Sequence, residues 1–557
     1  MHRSVAAVND VDPLAGAWPA PSGRLCRPDG AAGCQAARAL LASLSMQWIL
    51  AALFGALAVI LAFPTFGWAV PVLVAWAPLL VLARDSTWRQ RLIFGWLMGF
   101  TYQVVIFRWI VFTAREMSGL PTVAGVGLLV LFGLWHGLMG GVFLALSEPA
   151  RRAASERSAA LEPIAIGALY AAIEWLWPIL FPWGLGHAFW EIGPIASLMA
   201  WTGVPGLSFG VMVFAATVAL FRATGSWRDL RLGVASLVVL LGLSIGWSVH
   251  LSNTPPRKTL RVAALQMNYS LKEKKGATLE RRARLAERFL KALRDLESER
   301  YDLLVASEGA FPLFWDVDVD SRSGTGAERL STQSTRAVQR ALVAGPAVNA
   351  IVGGLRRPPG AQLHNSAVHL GPDGQIEGSY DKTVLVPFGE TMPLSDLIPA
   401  LKNSVPGVGD FGRGERPCRF DVDDERVACG ICYESIFSDV TRSTAGDDAS
   451  LLVNLTIDVW FGRSTAPWFH LMVQSSRAAE LGLPLIRSAL TGISAIVGPD
   501  GVPIKVLGLD ETGVLEAEVE LRDVVTPYRS VGPLFAWLCL LGAVALVTRF
   551  FRSSRPT

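Results

Sequence analysis

Apolar runs, most of them long enough to cross the ~30 Å hydrocarbon core of a bilayer, recur along this chain and limit what it can fold into. They lie near residues 48–65, 69–83, 91–113, 121–147, 160–180, 199–221, 231–250 and 533–551. The first two are tightly joined and read either as two spans or as a re-entrant pair, so the expected count is about eight. Composition agrees. Only 17% of the 557 residues are charged, and the 19 Trp and 26 Phe suit a membrane protein with one water-exposed portion. The net charge of +3 is small for this length, and basic residues form no patch with interleaved aromatics, so no general nucleic-acid affinity is implied.

Residues 1–46 are rich in Ala, Pro, Gly and Arg and contain no apolar signal core, so they read as a disordered extension and not as a signal peptide. Charge in the loops orients the spans. Arg84, Arg89 and Arg91 lie between the second and third runs, and Arg151, Arg152 and Arg157 between the fourth and fifth. Arg222, Arg228 and Arg231 lie between the sixth and seventh, and Arg549, Arg552 and Arg555 follow the eighth. The alternate loops carry almost no Lys or Arg, with Arg115 the main exception. The positive-inside rule makes the basic loops cytoplasmic. Seven spans within a membrane domain at 47–252 then place residues 253–529 outside the cytoplasm, and 530–557 form the last span and a basic cytoplasmic tail.

The 253–529 segment differs in kind. RVAALQM, DLLVAS, AIVGGL, SAVHL, VACGIC and SLLVNL are short apolar runs suited to buried strands, and ATLERRARLAERFLKALRDLESER has the pattern of an amphipathic helix. GPDG at 371–374 and again at 498–501 supplies turn chemistry. Strands alternating with helices predict an α/β layered domain of about 270 residues.

Three residues in that domain supply complementary chemistry. Cys432, in VACGICYESIF, follows an apolar strand and is expected at a strand-to-helix turn, which exposes a nucleophile and offers backbone N–H groups to an oxyanion. Glu308 ends the strand DLLVAS, where a carboxylate faces the crevice of an α/β fold and is placed to act as general base. Lys382, between GSYD and VLVPF, has its stem held by packing and its ammonium available to an oxyanion or thiolate. Base, cation and thiol are the parts needed to form and resolve a thioester. Glu390, in VPFGE, is a candidate to orient Lys382.

Two other patterns carry less. The six cysteines form no disulfide framework, and Cys429-x-x-Cys432 lacks the second ligand pair of a zinc site and the helix start of a redox motif. Gly407, Gly409 and Gly412 spell G-x-G-x-x-G, but Pro406 precedes them and no strand–turn–helix pattern frames them.

The strings YDKTVLVPFGETMPL, ICYE, DVWFG, PWFHLMVQSSRAAELGLPLIRSALTGISAIVGPDG and TPYRSVG, with FPWGLGHAFWE and GVPGLSF in the membrane half, are jointly specific. On these the chain resembles the apolipoprotein N-acyltransferases, a membrane branch of the nitrilase (carbon–nitrogen hydrolase) superfamily, over roughly 47–551. The resemblance implies a nitrilase-like αββα sandwich on a multi-span helical domain in a bacterial inner membrane, with the catalytic domain on the periplasmic side. It implies a Glu308–Lys382–Cys432 triad supported by Glu390, Tyr433 and Glu434, with Trp109 handling substrate. It further implies a phospholipid acyl donor, a diacylated apolipoprotein acceptor, the bilayer as partner and no metal or organic cofactor. Phe311, Leu313, Phe314 and Trp315 after Glu308, with Trp460, Phe461, Trp468 and Phe469, are candidates to line an acyl entrance.

The chain departs from the family pattern around the site. Ala306-Ser307 and then Gly309 stand about Glu308 where the family has Trp-Pro before its glutamate, Ile457 replaces an Asn before Asp458, Val459 follows, and Leu490 replaces an Asn before TGIS. These leave the reaction class in place and bear on rate, acyl choice or acceptor. The alternatives are a paralogous acyltransferase with another amine acceptor, a membrane-tethered amide or nitrile hydrolase, and a non-catalytic scaffold.

Overall fold

The computed structural model describes residues 31–64, 66–274, 276–296, 301–315, 325–358, 362–392, 397–398 and 409–553, with side chains from Ser45 onward. Residues 51–557 form one compact unit, and residues 1–50 form a second.

The first helix runs Ala31–Ala62, so residues 31–46 of the expected disordered extension are helical. The sequence AAGCQAARALLASLSM is too mixed to suggest a span yet rich in Ala and Leu, which favour helix. Residues 1–30 lie outside the described residues. The run at 69–83 is not one span. It is a 3-10 turn at Val70–Val74 followed by a short helix at Ala77–Ala83, each with a proline at its start. The run at 91–113 is a pair of helices, Trp88–Ile106 and Trp109–Ser118, bent by 51°. Long apolar helices follow at Thr122–Ser155, Ala159–Leu176, Val204–Thr224, Trp227–Asn253 and Leu534–Ser553. By length and composition the described residues hold six spans, or seven with the bent pair, against the expected eight.

The two ends of the bundle differ chemically. At one end Glu162 pairs with Arg84 and Arg151, Glu148 pairs with Arg151 and Arg152 at 2.6 Å, and Arg549 reaches Glu156 at 3.0 Å. Basic loops far apart in sequence therefore gather at the same end. At the other end the helices meet the α/β domain: Phe63 stacks on Phe469 with centroids 5.6 Å apart, and Thr113 donates to the Trp460 carbonyl at 3.1 Å. The short 70–83 segment leads from the Phe63 end to the Arg84 end, so the alternation of loops is kept although neither piece is span-long.

Trp88–Ile106 and Thr122–Ser155 pack backbone to backbone through glycines. A Cβ on Gly95 would collide with the Gly140 carbonyl oxygen, and one on Gly137 would sit 2.6 Å from the Phe100 nitrogen. Such close approach is how helices associate where burial from water supplies no drive.

The α/β domain is a two-sheet sandwich. One sheet has the spatial order Gly513–Leu521, Lys258–Gln266, Leu303–Ala306, Asn349–Arg356, His364–Leu370, Ile376–Asp381, with Phe314–Trp315 paired beside Asn349–Arg356. The other has the order Pro503–Leu507, Ser494–Val497, Leu485–Ala489, Leu451–Thr456, Glu425–Ile431, Arg419–Val422. Each has three parallel central strands and antiparallel edges. Both GPDG turns join antiparallel neighbours.

Alternation along the strands builds two cores. Leu260, Val262 and Ala264 face Val427, Ile431, Val453 and Ile486 between the sheets. Ala263 and Leu265 face outward under Leu285, Phe289 and Leu293 of the helix Leu279–Arg294 and Val338 and Leu342 of the helix Gly326–Ala344. The helix Ala466–Leu481 is buried at every position but Trp468 beside the second sheet, completing helix–sheet–sheet–helix layering.

The substitution Gly137→Val overpacks the glycine contact, and we expect a loss of about 1–3 kcal/mol, read as a lower Tm of the detergent-solubilised protein.

Candidate active site

Cys432 stands where the strand Glu425–Ile431 breaks into the 3-10 turn Cys432–Ile436. Its φ is 53°, in the left-handed region that costs a side-chain-bearing residue about 1–2 kcal/mol, so the surrounding contacts must impose it. Glu434 does much of this. One carboxylate oxygen accepts the Ile431 N–H at 2.9 Å. The other accepts from Tyr380 Oη at 2.7 Å, Thr383 N–H at 2.6 Å, Thr383 Oγ1 at 2.8 Å and Val384 N–H at 2.9 Å. A single carboxylate thereby fastens the cysteine turn to the segment that follows Lys382.

Glu308 lies just beyond the strand Leu303–Ala306 in the other sheet. Lys382 follows the edge strand Ile376–Asp381 and is fully buried. Its Nζ is 2.9 Å from Glu390 Oε2, 3.0 Å from Glu390 Oε1 and 3.8 Å from Glu308 Oε1. Asn365 bridges the two acids, its Nδ2 donating to Glu308 Oε1 at 2.6 Å and to Glu390 Oε1 at 2.8 Å. Glu390 Oε2 also accepts the Val386 N–H at 2.9 Å. Glu308 Oε2 is buried with no nitrogen or oxygen donor on it among the described residues, while the Glu308 side chain meets the Cys432 thiol.

Burial raises the Glu308 carboxyl above the usual carboxylate range, although the Lys382 charge pulls the other way. Burial alone would lower Lys382, but the Glu390 and Glu308 charges outweigh it and raise the ammonium. Burial also pushes the Cys432 thiol up, and the Glu308 charge adds to the effect. A thiol shifted in this direction holds its proton more firmly, so it needs a neighbouring base to become a thiolate.

These groups share a cavity of about 420 Å³ with residues from the membrane helices. Trp109, Met117 and Phe132 line it from the bundle, and Trp460, Phe461 and Phe469 from the α/β domain. Trp109 sits edge-on to Phe461, with centroids 5.0 Å apart. Tyr433 also lines the cavity, and its hydroxyl donates to the Leu180 carbonyl at 2.5 Å.

Five expected lining residues, Phe311, Leu313, Phe314, Trp315 and Trp468, lie elsewhere. Trp315 is fully buried in the core under the outer helices, 4.3 Å from the Phe311 ring, and Leu313 shares that core. Phe314 faces the other way, beneath the guanidinium groups of Arg282 and Arg357. Trp468 is 37% exposed. On its helix Ala466, Phe469 and His470 reach the cavity, whereas Trp468 points off that face.

The departures from the family pattern are also placed. Ile457 lines the cavity and packs with Leu490 in the outer core, so both polar-to-apolar changes fall in one contiguous cluster. Ala306 and Ser307 are fully buried. Gly409 and Gly412 stand in irregular chain, while Gly407 lies outside the described residues. Cys429 packs between the sheets beside Cys418.

Asn365, Gln474 and Arg487 are contributors that motif reading missed. Asn365 sits in the largely polar strand HNSAVHL, and Gln474 and Arg487 lie within the PWFHLMVQSSRAAELGLPLIRSAL string, with nothing local to single out any of the three.

An acid–cation–thiol cluster on a helix–sheet–sheet–helix sandwich, walled in part by membrane helices, defines a membrane-bound member of the carbon–nitrogen hydrolase class. The family model described as Carbon-nitrogen hydrolase matches residues 261–528, and that described as Apolipoprotein N-acyltransferase N-terminal domain matches residues 55–217. The apolipoprotein N-acyltransferase of Geobacter metallireducens is 30% identical over 91% of this chain and 95% of its own. That of Gloeobacter violaceus is 29% identical over 90% and 94%, and that of Caulobacter vibrioides 30% identical over 88% and 92%. The chain belongs to the apolipoprotein N-acyltransferase family, and its long apolar helices make it a multi-pass membrane protein.

A raised carboxyl must lose its proton before it can act as a base. Alkylation of Cys432 by a haloacetamide should therefore fall with an acid limb above the ordinary glutamate value of 4.5. Lys382, raised above 10.5, should add no limb below that pH. Asn365→Leu removes a hydrogen bond that favours the charged form of Glu308, so the acid limb should move to higher pH in the alkylation profile.

Proposed function

We propose that this protein transfers an acyl chain from a phospholipid to the α-amino group of the N-terminal diacylglyceryl-cysteine of apolipoproteins, through a thioester on Cys432. The observation that carries the reading is the shared cavity: Glu308, Lys382 and Cys432 open onto walls contributed by Trp109, Met117 and Phe132 of the membrane helices. A water-soluble substrate needs no such walls. An acyl chain gains about 0.8 kcal/mol for each CH₂ kept out of water, so a site bordering the bilayer accepts it without exposing it.

In the first half-reaction Glu308 takes the Cys432 proton as sulfur attacks the ester carbonyl. Lys382 and the backbone N–H after Cys432 face the developing oxyanion. As the intermediate collapses, Glu308 returns its proton to the departing lysophospholipid oxygen, leaving the thioester. In the second half-reaction the lipoprotein amine attacks the thioester and gives its proton to Glu308. The thiolate leaves and is reprotonated, and the product is an amide. Glu390 holds the ammonium in place, while Tyr433 and Glu434 hold the turn. Trp109 is the candidate to guide acyl chains at the cavity wall.

The location belongs to the same proposal: a bacterial inner membrane, with the 253–529 domain in the periplasm and the basic loops in the cytoplasm. The gathering of Arg84, Arg151 and Arg549 at the bundle end away from the cavity supports it.

Incubation with a phospholipid labelled in its acyl chain should place label on Cys432 and release it to a synthetic diacylated lipopeptide. Cys432→Ala should take none. Wild-type protein that is never labelled, or whose label passes only to water, would sink the transferase reading. Independently, a protease added outside spheroplasts should cut within 253–529 and spare the loops carrying Arg151 and Arg228; the opposite pattern would reverse the orientation.

A further inference from the structure

Behind the cysteine turn lies a buried polar cluster, reaching the cavity only through His470, that the proposed mechanism does not use. Asn454, Gln474 and Arg487 are fully buried, and Asp458 and His470 nearly so. Arg487 organises it. Its Nη2 donates to Asp458 Oδ2 at 2.6 Å and its Nε to the Ile493 carbonyl at 2.9 Å. Its Nη1 donates to the side-chain oxygens of both amides, Gln474 Oε1 and Asn454 Oδ1, the latter at 3.4 Å.

An amide whose oxygen is bound to a guanidinium has its NH₂ pointing the other way. Gln474 Nε2 accordingly donates to the Cys432 carbonyl at 3.2 Å, and Asn454 Nδ2 approaches the same oxygen at 3.5 Å. The remaining Gln474 hydrogen goes to His470 Nε2 at 2.8 Å. That ring can accept there because Nδ1 carries its proton toward Asp458 Oδ1, 2.9 Å away. Asn454 is fixed further by Ser435 Oγ at 2.8 Å and the Gly430 carbonyl at 3.2 Å. No rotation of either amide keeps these bonds.

The Cys432–Tyr433 peptide is planar and trans, so its N–H points opposite to its C=O. Gln474, with Asn454 as a longer second contact, holds the carbonyl among side chains that do not line the cavity, which turns the Tyr433 N–H the opposite way. We propose that Gln474 and Asn454, set by Arg487, are positioning residues that pre-orient the Tyr433 N–H as an oxyanion donor for acyl transfer at Cys432. This rests on the thioester reading above. The DVWFG aspartate and the buried arginine thereby determine which way two amides face, and through them the orientation of one peptide plane. The left-handed Cys432 backbone also gains a physical cause, since the carbonyl is held from behind while Glu434 holds the Ile431 N–H beside it.

The test separates oxyanion stabilisation from thiol activation on the full-length protein. Acylation of Cys432 by a nitrophenyl ester passes through an oxyanion, whereas alkylation by a haloacetamide does not. Gln474→Met and Asn454→Ala should each slow acylation on the order of 10- to 100-fold and leave alkylation within about 2-fold of wild type. The control Glu308→Gln should slow both. Equal loss of both reactions in the two amide variants, or no loss of acylation in either, would overturn the proposal. Should one variant fail to unfold cooperatively, the other carries the comparison. The nitrophenyl ester requires neither phospholipid nor lipopeptide, so failure of the proposed natural substrates would leave this result readable.

Discussion

The ammonium of Lys382 has no contact with solvent, and that fact governs the arrangement around it. A buried cation must be paired, and removing one partner from such a pair costs about 3–5 kcal/mol because the other charge is left uncompensated. Glu390 meets the cation on both oxygens, and Glu308 stands at the edge of its field. Two acids around one cation would repel each other, and Asn365 relieves this by donating to both. Lys382 and Asn365 come from one sheet and Cys432 from the other, with Glu434 fastening the turn to the lysine segment. The sandwich thus exists, in functional terms, to bring the open ends of its two sheets to one point.

Much of this was legible in the sequence, because its signals are local. Short apolar strands, the charged amphipathic helix and the GPDG turns announce themselves through periodicity and turn chemistry. Glu308, Lys382 and Cys432 stand beside strand ends, where side chains naturally reach a crevice. What stayed hidden depends on tertiary register. Asn365 is one of several polar residues in its strand, and nothing marks it out until the lysine segment folds over it. Gln474 and Arg487 lie on elements that do not touch in sequence. The aromatic residues failed for a different reason. Trp315 and Phe314 follow Glu308 closely, but strand alternation sends one into the core and the other beneath two arginines. Trp468 shares a helix with Phe469 and His470 but not their face. The 69–83 run is apolar enough for a span yet is interrupted by Pro71 and Pro78, and residues 31–46 are helical without being apolar enough to suggest a span.

The bend in the third span places residues where the chemistry needs them. Helix Trp88–Ile106 stops at Phe107, which is fully buried among Trp109, Phe132, Phe181 and Phe469. The chain resumes at Trp109 on a new axis, turned by 51°, and sends Trp109, Thr113 and Met117 along the cavity. A straight helix would carry those side chains past the α/β domain. Bending lets one span be both a bundle element and a wall of the site.

The shared wall has a practical meaning for anyone wishing to study the sandwich alone. Cutting the chain after the helix that ends at Asn253 would keep every residue of the acid–cation–thiol cluster. It would also strip the bundle's side chains from the cavity, expose Trp460, Phe461 and Phe469 to water, and leave the Tyr433 hydroxyl without the Leu180 carbonyl. Such a fragment would present a contiguous sticky face and self-associate, retaining the reactive groups but losing the container that gives them a substrate.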